Sequence, residues 1–352
     1  MTANSLNNND IHAGSGRIQF IDAMRGLIMF FVVSHHVSNL CFQVFASKSS
    51  IDDYVWEFLM PSFFFISGFV MYREGVRWDF GYIKKFFKKK IHLLLIVPLV
   101  FLLLNIYVFK KDIIECLFSV TKGGYWFTFV LFFYFSIYAI VKFCIRSELS
   151  DKVLVVIGLC MIVTCWPSIY DYLPVSESVL SKFCFSQWQY FIYFVIGTLV
   201  KKHYDEVQRL LDGKWLITIC VFYYFLVNVF NNDMPLPSII YYPLLSLSGI
   251  VILFAFFRSR QNFFSQQTFL GRALQFMGRR TLDIYWIHFF LIPYNLSMVT
   301  FFKDHNMPII ETTASYIVAI VITTATLLVS SILRMSPVLS FLLFGERQKE
   351  VK

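Results

Sequence analysis

The residues of this chain that are best suited to chemistry lie around one apolar run near its start. Asp22 and Arg25 open the run, and the adjacent histidines His35 and His36 close it. If the run is an α-helix, Asp22 lies one turn before Arg25, at pairing distance. Arg25 and His36 are eleven residues apart, which places them within about 20° of one helix face and roughly 16 Å apart along the axis. His35 points about 100° away from that face and is the lesser candidate.

An acid, a fixed cation and an imidazole on one face of an apolar helix predict a functional site. Charged groups inside a bilayer are costly, and they usually face a cavity or a protein interior. Two purely structural interpretations stay open beside this functional one. Arg25 could reach back to the lipid headgroups, and His36 could be a core histidine that bonds to a neighbouring helix.

The composition indicates the class of protein to which these residues belong. The 352 residues are 57% hydrophobic and only 15% charged, so a soluble domain would expose too much apolar surface. We therefore expect an all-α, polytopic integral membrane protein. The net charge of +9 does not indicate a nucleic-acid partner, because the basic residues lie in short segments between apolar runs. The seven cysteines show no paired spacing, which predicts buried structural thiols and no metal site.

About ten apolar runs approach the roughly 20 residues that a helix needs to cross a bilayer. They are 22–44, 55–72, 91–109, 125–143, 153–169, 184–200, 215–231, 238–257, 281–302 and 312–333. We expect a disordered tail at 1–16, a membrane domain at 17–335 and a cytoplasmic tail at 336–352.

The positions of lysine and arginine predict how the chain is oriented in the bilayer. Of 31 such residues, 24 fall in the tails and loops of one side and six in the loops of the other. The remaining one is Arg25, inside the first run. Since cytoplasmic segments carry the excess of positive charge, both termini are expected in the cytoplasm of a multi-pass protein of the inner (plasma) membrane.

Five stretches, in order along the chain, resemble the membrane-bound acyltransferase family 3. The run FIDAMRGLIMFFVVSHHV matches the family's hallmark of an arginine, ten residues and a histidine, through Arg25 and His36. The stretches MPSFFFISGFVMYR (60–73), GGYWFTFVLFF (123–133), YFIYFVIGTLV (190–200) and LDIYWIHFFLI (282–292) resemble later motifs. The resemblance covers about residues 17–335.

This resemblance implies a membrane O-acyltransferase, which moves an acyl group, usually acetyl, from cytoplasmic acetyl-CoA to a hydroxyl. The acceptor would be a cell-envelope glycan or a lipid-linked sugar. The resemblance also implies that His36 is catalytic and Arg25 an essential cation. An imidazole with a pKa near about 6.5 can take the hydroxyl proton as it attacks the thioester. Arg25 could bind a CoA phosphate or fix the helix through Asp22.

The stretch 72–92 is predicted to be a loop and is strongly basic, and two interpretations of it stay open. Its cations could set the topology and attract anionic lipids, or they could receive the phosphates of CoA. Family members often carry Arg-x-x-Arg at the start of the third helix, where this chain has Lys85/Lys88 or Lys89/His92. Because lysine is a point charge and no bidentate fork, phosphate binding by these residues and by Arg73 remains open.

Four other residues are supporting candidates. His288, one turn after Tyr285, is either an interhelical hydrogen-bonding histidine or a pocket residue that supports His36 or the acyl donor. Trp126 is either an interfacial anchor or part of an acyl channel. Glu57 is either a surface charge or a group that orients an imidazole or binds the acceptor.

The rival function is a transporter or permease for an envelope precursor. In it, Asp22, Arg25 and His36 would line a substrate or proton pathway. Transporters usually show repeat symmetry or paired broken helices, and the sequence shows neither.

Overall fold

A computed structural model describes residues 18–42, 52–165, 183–212, 215–230, 237–293, 302, 305 and 307–345 of the chain. Every regular element in these ranges is a helix. The α-helices are Gln19–His36 (α1), Asp52–Met71 (α2), Phe80–Ile91 (α3), Val97–Phe109 (α4), Ile113–Phe118 (α5), Trp126–Cys144 (α6), Leu149–Thr164 (α7), Phe191–Lys202 (α8), Tyr204–Leu211 (α9), Trp215–Phe225 (α10), Ser238–Ser259 (α11), Phe269–Arg279 (α12), Thr281–Leu291 (α13), Pro308–Leu333 (α14) and Pro337–Phe344 (α15).

The helical class is confirmed, but the count of ten spans is not. Each predicted run overlaps a helix. Within the described ranges, five segments are long and apolar enough to cross a membrane on their own: Gln19–Cys41, Phe80–Phe109, Trp126–Cys144, Ile239–Ser259 and Pro308–Leu333. A sixth is added if the bent pair Tyr204–Leu211 and Trp215–Asn228 forms one span. The number of crossings beyond these stays a prediction.

The structure shows helices in two segments for which none was predicted, and it corrects the prediction for three cysteines. The basic segment is largely helical, because Asp79 caps α3 by accepting a hydrogen bond from the Tyr82 N–H at 2.7 Å. The predicted C-terminal tail begins with α15, whose N-cap is Ser336. The thiols of Cys144, Cys160 and Cys220 are exposed instead of buried, since they lie on outward faces of apolar helices. The predicted tail at 1–16 lies outside the described residues.

The chain divides into two compact units, and α1 begins in one and ends in the other. The first unit contains Met1–Phe31, Asp53–Arg77 and Tyr193–Thr281. Within it, α1 and α12 touch through their backbones. A Cβ atom on Gly278 would lie 1.8 Å from the carbonyl oxygen of Asp22, and one on Gly26 would lie 2.1 Å from that of Leu274. Small residues at this crossing therefore allow the close helix contact that membrane bundles favour.

The second unit contains Val32–Asp52, Trp78–Ile192 and Leu282–Lys352. Its helix α14 is tied to α13 by Asp283, which is 3% exposed and binds both Arg334 at 2.8 Å and the Ser330 hydroxyl at 2.5 Å. Because the carboxylate is fully engaged, its burial is compensated. The amphipathic helix α3 packs its aromatic side on α6, where Phe86 meets Phe135 edge to face at 6.0 Å.

Candidate active site

His36 ends α1, and its ring packs against two residues of α13. The His36 and His288 rings are stacked, with centroids 5.3 Å apart and an interplanar angle of 24°. The Phe289 ring lies 5.0 Å from the His36 ring. His36 is only half-buried, whereas His288 is fully buried. The structure therefore brings together two of the predicted site residues.

His288 is fixed by its own helix. Its Nδ1–H donates to the carbonyl of Ile284 at 2.7 Å, so the other ring nitrogen carries no proton in the neutral form. That atom, Nε2, is buried and has no hydrogen-bond partner among the residues that the structure describes. The interhelical hydrogen bond considered for His288 is thus replaced by an intrahelical bond and by ring contact with His36.

Tyr285 anchors the turn before α6 to the same wall. Its hydroxyl donates to the carbonyl of Gly124 at 2.8 Å and accepts from the N–H of Phe127 at 3.1 Å. Gly124 has φ +102°, and a Cβ there would approach the Phe289 ring to 2.7 Å. Only glycine fits this position without strain. Tyr285 therefore keeps this turn in contact with α13, next to the ring of Phe289.

His35 and Trp126 lie at the edges of this wall. His35 is half-buried, and its Nε2 accepts from the Asn39 side-chain amide at 2.6 Å. Its ring meets that of His36 edge to face at 6.2 Å. Trp126 opens α6 and is half-buried, with its ring edge to face on Phe127 at 6.2 Å. His35 therefore contacts one of the stacked histidines directly, whereas the contact with Phe127 does not place Trp126 on them.

Besides Arg73, three predicted residues belong to the first unit. Asp22 is buried, with 6% of its surface exposed, and Arg25 is half-buried; both lie on α1. Glu57 lies on α2, and its backbone carbonyl accepts from the Ser246 hydroxyl at 2.9 Å. The roles suggested for these residues stay predictions.

Four of the predicted phosphate-binding residues are exposed, and the fifth, His92, is held by contacts with another helix. Lys85, Lys88 and Lys89 are exposed on one stripe of α3, at spacings of three and four residues. Arg73 is exposed in the first unit. His92 instead packs on α15: its Nε2–H donates to the Phe341 carbonyl at 3.2 Å, and the two rings stack at 5.2 Å.

One buried carboxylate of the second unit was not predicted from the sequence. It belongs to Glu311 and lies near the end of α1, where it bonds to Ser38. Glu311, in the first turn of α14, is 3% exposed and accepts hydrogen bonds from Ser38 and Ser315. A signal was available, because Glu311 is a lone acid at the edge of a long apolar run. Across the described ranges, no three His, Cys, Asp or Glu side chains are grouped as a metal site requires.

Comparison with known proteins identifies one match. A family model described as an acyltransferase domain matches residues 18–330, a range that contains α1 to α13 and nearly all of α14. No curated protein and no solved structure matches the chain.

Proposed function

Because this chain belongs to the acyltransferase family 3, and is therefore an acyltransferase, we propose that it O-acylates a cell-envelope acceptor. The donor is acyl-CoA, with acetyl-CoA as the first choice, and it binds from the cytoplasm. The acceptor is a hydroxyl of a glycan or a lipid-linked sugar. The apolar helices support a place in the membrane, and the excess of Lys and Arg on one side supports an inner-membrane topology with cytoplasmic termini.

The observation that carries this proposal is the half-buried His36 at the end of a membrane helix, with its imidazole held against α13. In the reaction, His36 takes the proton of the acceptor hydroxyl while the oxygen attacks the thioester carbonyl carbon. The carbon–sulfur bond breaks, and the proton passes to the leaving CoA thiolate. Stacking on His288 and contact with Phe289 hold the imidazole in one orientation, which a general base requires.

Arg25 and the exposed lysines of α3 serve the donor in this proposal. The guanidinium of Arg25 is suited to a phosphate because it offers a planar fork of donors. Lys85, Lys88 and Lys89 present three positive charges on one helical stripe, which attracts the phosphates of CoA as point charges. Arg73 adds a further exposed cation, whereas the ring of His92 is engaged by α15.

Replacing Lys85, Lys88 and Lys89 together by glutamine is expected to raise the KM for acetyl-CoA about tenfold, with kcat nearly unchanged. Each exposed charge contributes of the order of 0.2–1 kcal/mol, and three of them act on one polyanion. The effect should shrink at high ionic strength because salt screens exposed charges. Steady-state kinetics of the purified protein in lipid nanodiscs at two salt concentrations measure both quantities.

The matched control removes Arg146 and Lys152, which are also exposed cations of the second unit on the predicted cytoplasmic side. The control should leave KM unchanged. An equal rise in KM in both variants would show a general surface effect. An unchanged KM in the lysine variant would assign α3 to topology or anionic lipids instead.

The function itself is tested by acetyl-CoA turnover without an acceptor, since water can slowly replace the hydroxyl. We expect saturable, slow release of CoA by the wild-type protein and none above background by His36→Ala. Wild-type protein that neither binds nor hydrolyses acetyl-CoA would contradict the proposed donor. Vesicles that accumulate a lipid-linked sugar without acylating it would support a transporter.

A further inference from the structure

The chain changes its helical geometry immediately after His36. α1 ends there, and Val37–Cys41 form a single π-helical turn. The turn is closed by the Phe42 N–H, which donates to the carbonyl of Val37 at 3.2 Å. Such turns are often found at functional sites, and the described residues contain two others, at His92–Ile96 and Leu226–Phe230. The turn after His36 differs from those two because it directly follows a proposed catalytic residue. The group that holds this one therefore also sets the position of His36.

That group is the carboxylate of Glu311. The Ser38 hydroxyl, inside the π turn, donates to Glu311 Oε1 at 2.6 Å. The Ser315 hydroxyl, one turn further along α14, donates to the same oxygen at 2.9 Å. The exposed fractions are 4% for Ser38, 3% for Glu311 and 2% for Ser315. The contact is thus a buried set of three polar side chains.

Because these side chains are buried, loss of a hydrogen bond to Glu311 would cost more free energy than loss of the same bond at the surface. A buried carboxylate is costly unless hydrogen bonds and nearby positive charge compensate it. Here two hydroxyls donate to it, and it lies in the first turn of the 26-residue helix α14, where the helix dipole is positive. Loss of either serine hydroxyl would leave an acceptor less satisfied in an apolar setting. The turn cannot shift without breaking the Ser38 bond.

The bond lies on the side of the turn away from the stacked imidazoles. His36 and Ser38 are two residues apart, so their side chains leave the helix in directions that differ by roughly 160–200°. His36 meets His288 and Phe289 of α13, while Ser38 meets Glu311 of α14. The end of α1 is therefore clamped between α13 and α14, with the imidazole on one side and the carboxylate on the other.

We propose that Glu311 is a positioning residue for His36: through Ser38 it holds the π turn that aims the imidazole at its substrate. This role rests on the proposed function of His36 as the general base. Glu311 itself touches no reacting atom and acts through the turn.

The test compares Ser38→Ala, Glu311→Ala and the double variant with wild type in lipid nanodiscs, by steady-state acetyl-CoA turnover per folded protein. Each single change should lower kcat about 10- to 100-fold, since a shift of the order of 1 Å in a catalytic group has that effect. The KM for acetyl-CoA should stay within about threefold. The double variant should be scarcely worse than the worse single one, because both changes remove the same bond.

The variant Glu311→Gln tests whether Glu311 positions His36 through its hydrogen bonds or whether its negative charge is required. Its amide oxygen can still accept from both serines, so most of the lost kcat should return. The return should be partial, because the amide nitrogen would lie where Oε2 is buried without a hydrogen-bond partner among the described residues. The matched control is Ser330→Ala, which removes another buried serine–carboxylate bond on α14, to Asp283, and should leave kcat unchanged.

Three results would overturn the inference. They are a kcat of Ser38→Ala equal to that of wild type, a Glu311→Gln as impaired as Glu311→Ala, and fully additive losses. If Glu311→Ala does not accumulate, Ser38→Ala and Glu311→Gln decide alone. If instead the proposed role of His36 as general base is wrong, the result is different, because His36→Ala would then turn over acetyl-CoA at the wild-type rate.

Discussion

Replacement of His36 by alanine is expected to lower the rate of acyl transfer by about 10²- to 10⁴-fold, the range that a positioned general base supplies. The change removes the only proton acceptor that the proposed mechanism assigns to the acceptor hydroxyl. The KM for acetyl-CoA should change little, since the imidazole acts on the acceptor and not on the phosphates. Transfer to a glycan acceptor by protein in nanodiscs, followed by mass spectrometry of the product, measures the rate.

The control for this change is His203→Ala. His203 is half exposed and faces Glu206 on the following helix α9, 3.5 Å away, so its loss should leave the rate intact. A His36→Ala protein with the wild-type rate would make His36 structural. In that case its packing on His288 would serve stability alone.

A single methyl group at Gly278 is expected to destabilise the protein strongly. The Cβ of Gly278→Ala would lie 1.8 Å from the backbone oxygen of Asp22 and 3.1 Å from the amide of Gly26. Backbone atoms cannot rotate away as a side chain does, so α1 and α12 must separate. The expected loss is at or above the upper end of the roughly 1–3 kcal/mol typical of overpacking. Thermal unfolding of the detergent-solubilised protein, followed by size-exclusion chromatography, measures it.

Gly81→Ala provides the matched comparison. Gly81 lies on α3, and its added Cβ would meet only the Asp79 carboxylate, at 3.4 Å. Alanine favours the helix over glycine by up to about 1 kcal/mol, so this variant should be as stable as wild type or slightly more so. Equal stability of the Gly278 and Gly81 variants would contradict the close contact between α1 and α12.

The periodic and compositional features of the fold could be predicted from the sequence. The apolar run from Asp22 to His36 does form a helix, and the motif around His288 does lie on another. The resemblance to the acyltransferase family is confirmed by the match over residues 18–330. Helix α3 was interpreted as a loop because its lysines obscure the apolar pattern, although the Asp79 cap was visible as an acid before Phe80.

The contacts that complete the site could not be predicted in the same way. Ser38 and Glu311 are 273 residues apart in the chain, and no helical period links positions on different helices. The stacking of His36 on His288 is equally long-range. Both histidines were recognised separately by type, but only tertiary packing brings them together. Glu311 was overlooked because a lone acid beside an apolar run also fits an ordinary interfacial charge.

The most direct test of the account compares envelope glycans from a deletion strain complemented with wild type or with His36→Ala. Membrane levels of the two proteins are matched, and mass spectrometry measures ester-linked acyl groups. If His36 is the general base of acyl transfer, wild type restores the mass of an ester-linked acyl group on the glycan, most simply acetyl, and His36→Ala does not. Full restoration by His36→Ala would contradict the proposed mechanism. A glycan that fails to reach the surface, with no acyl difference, would contradict the acyl-transfer role and favour transport.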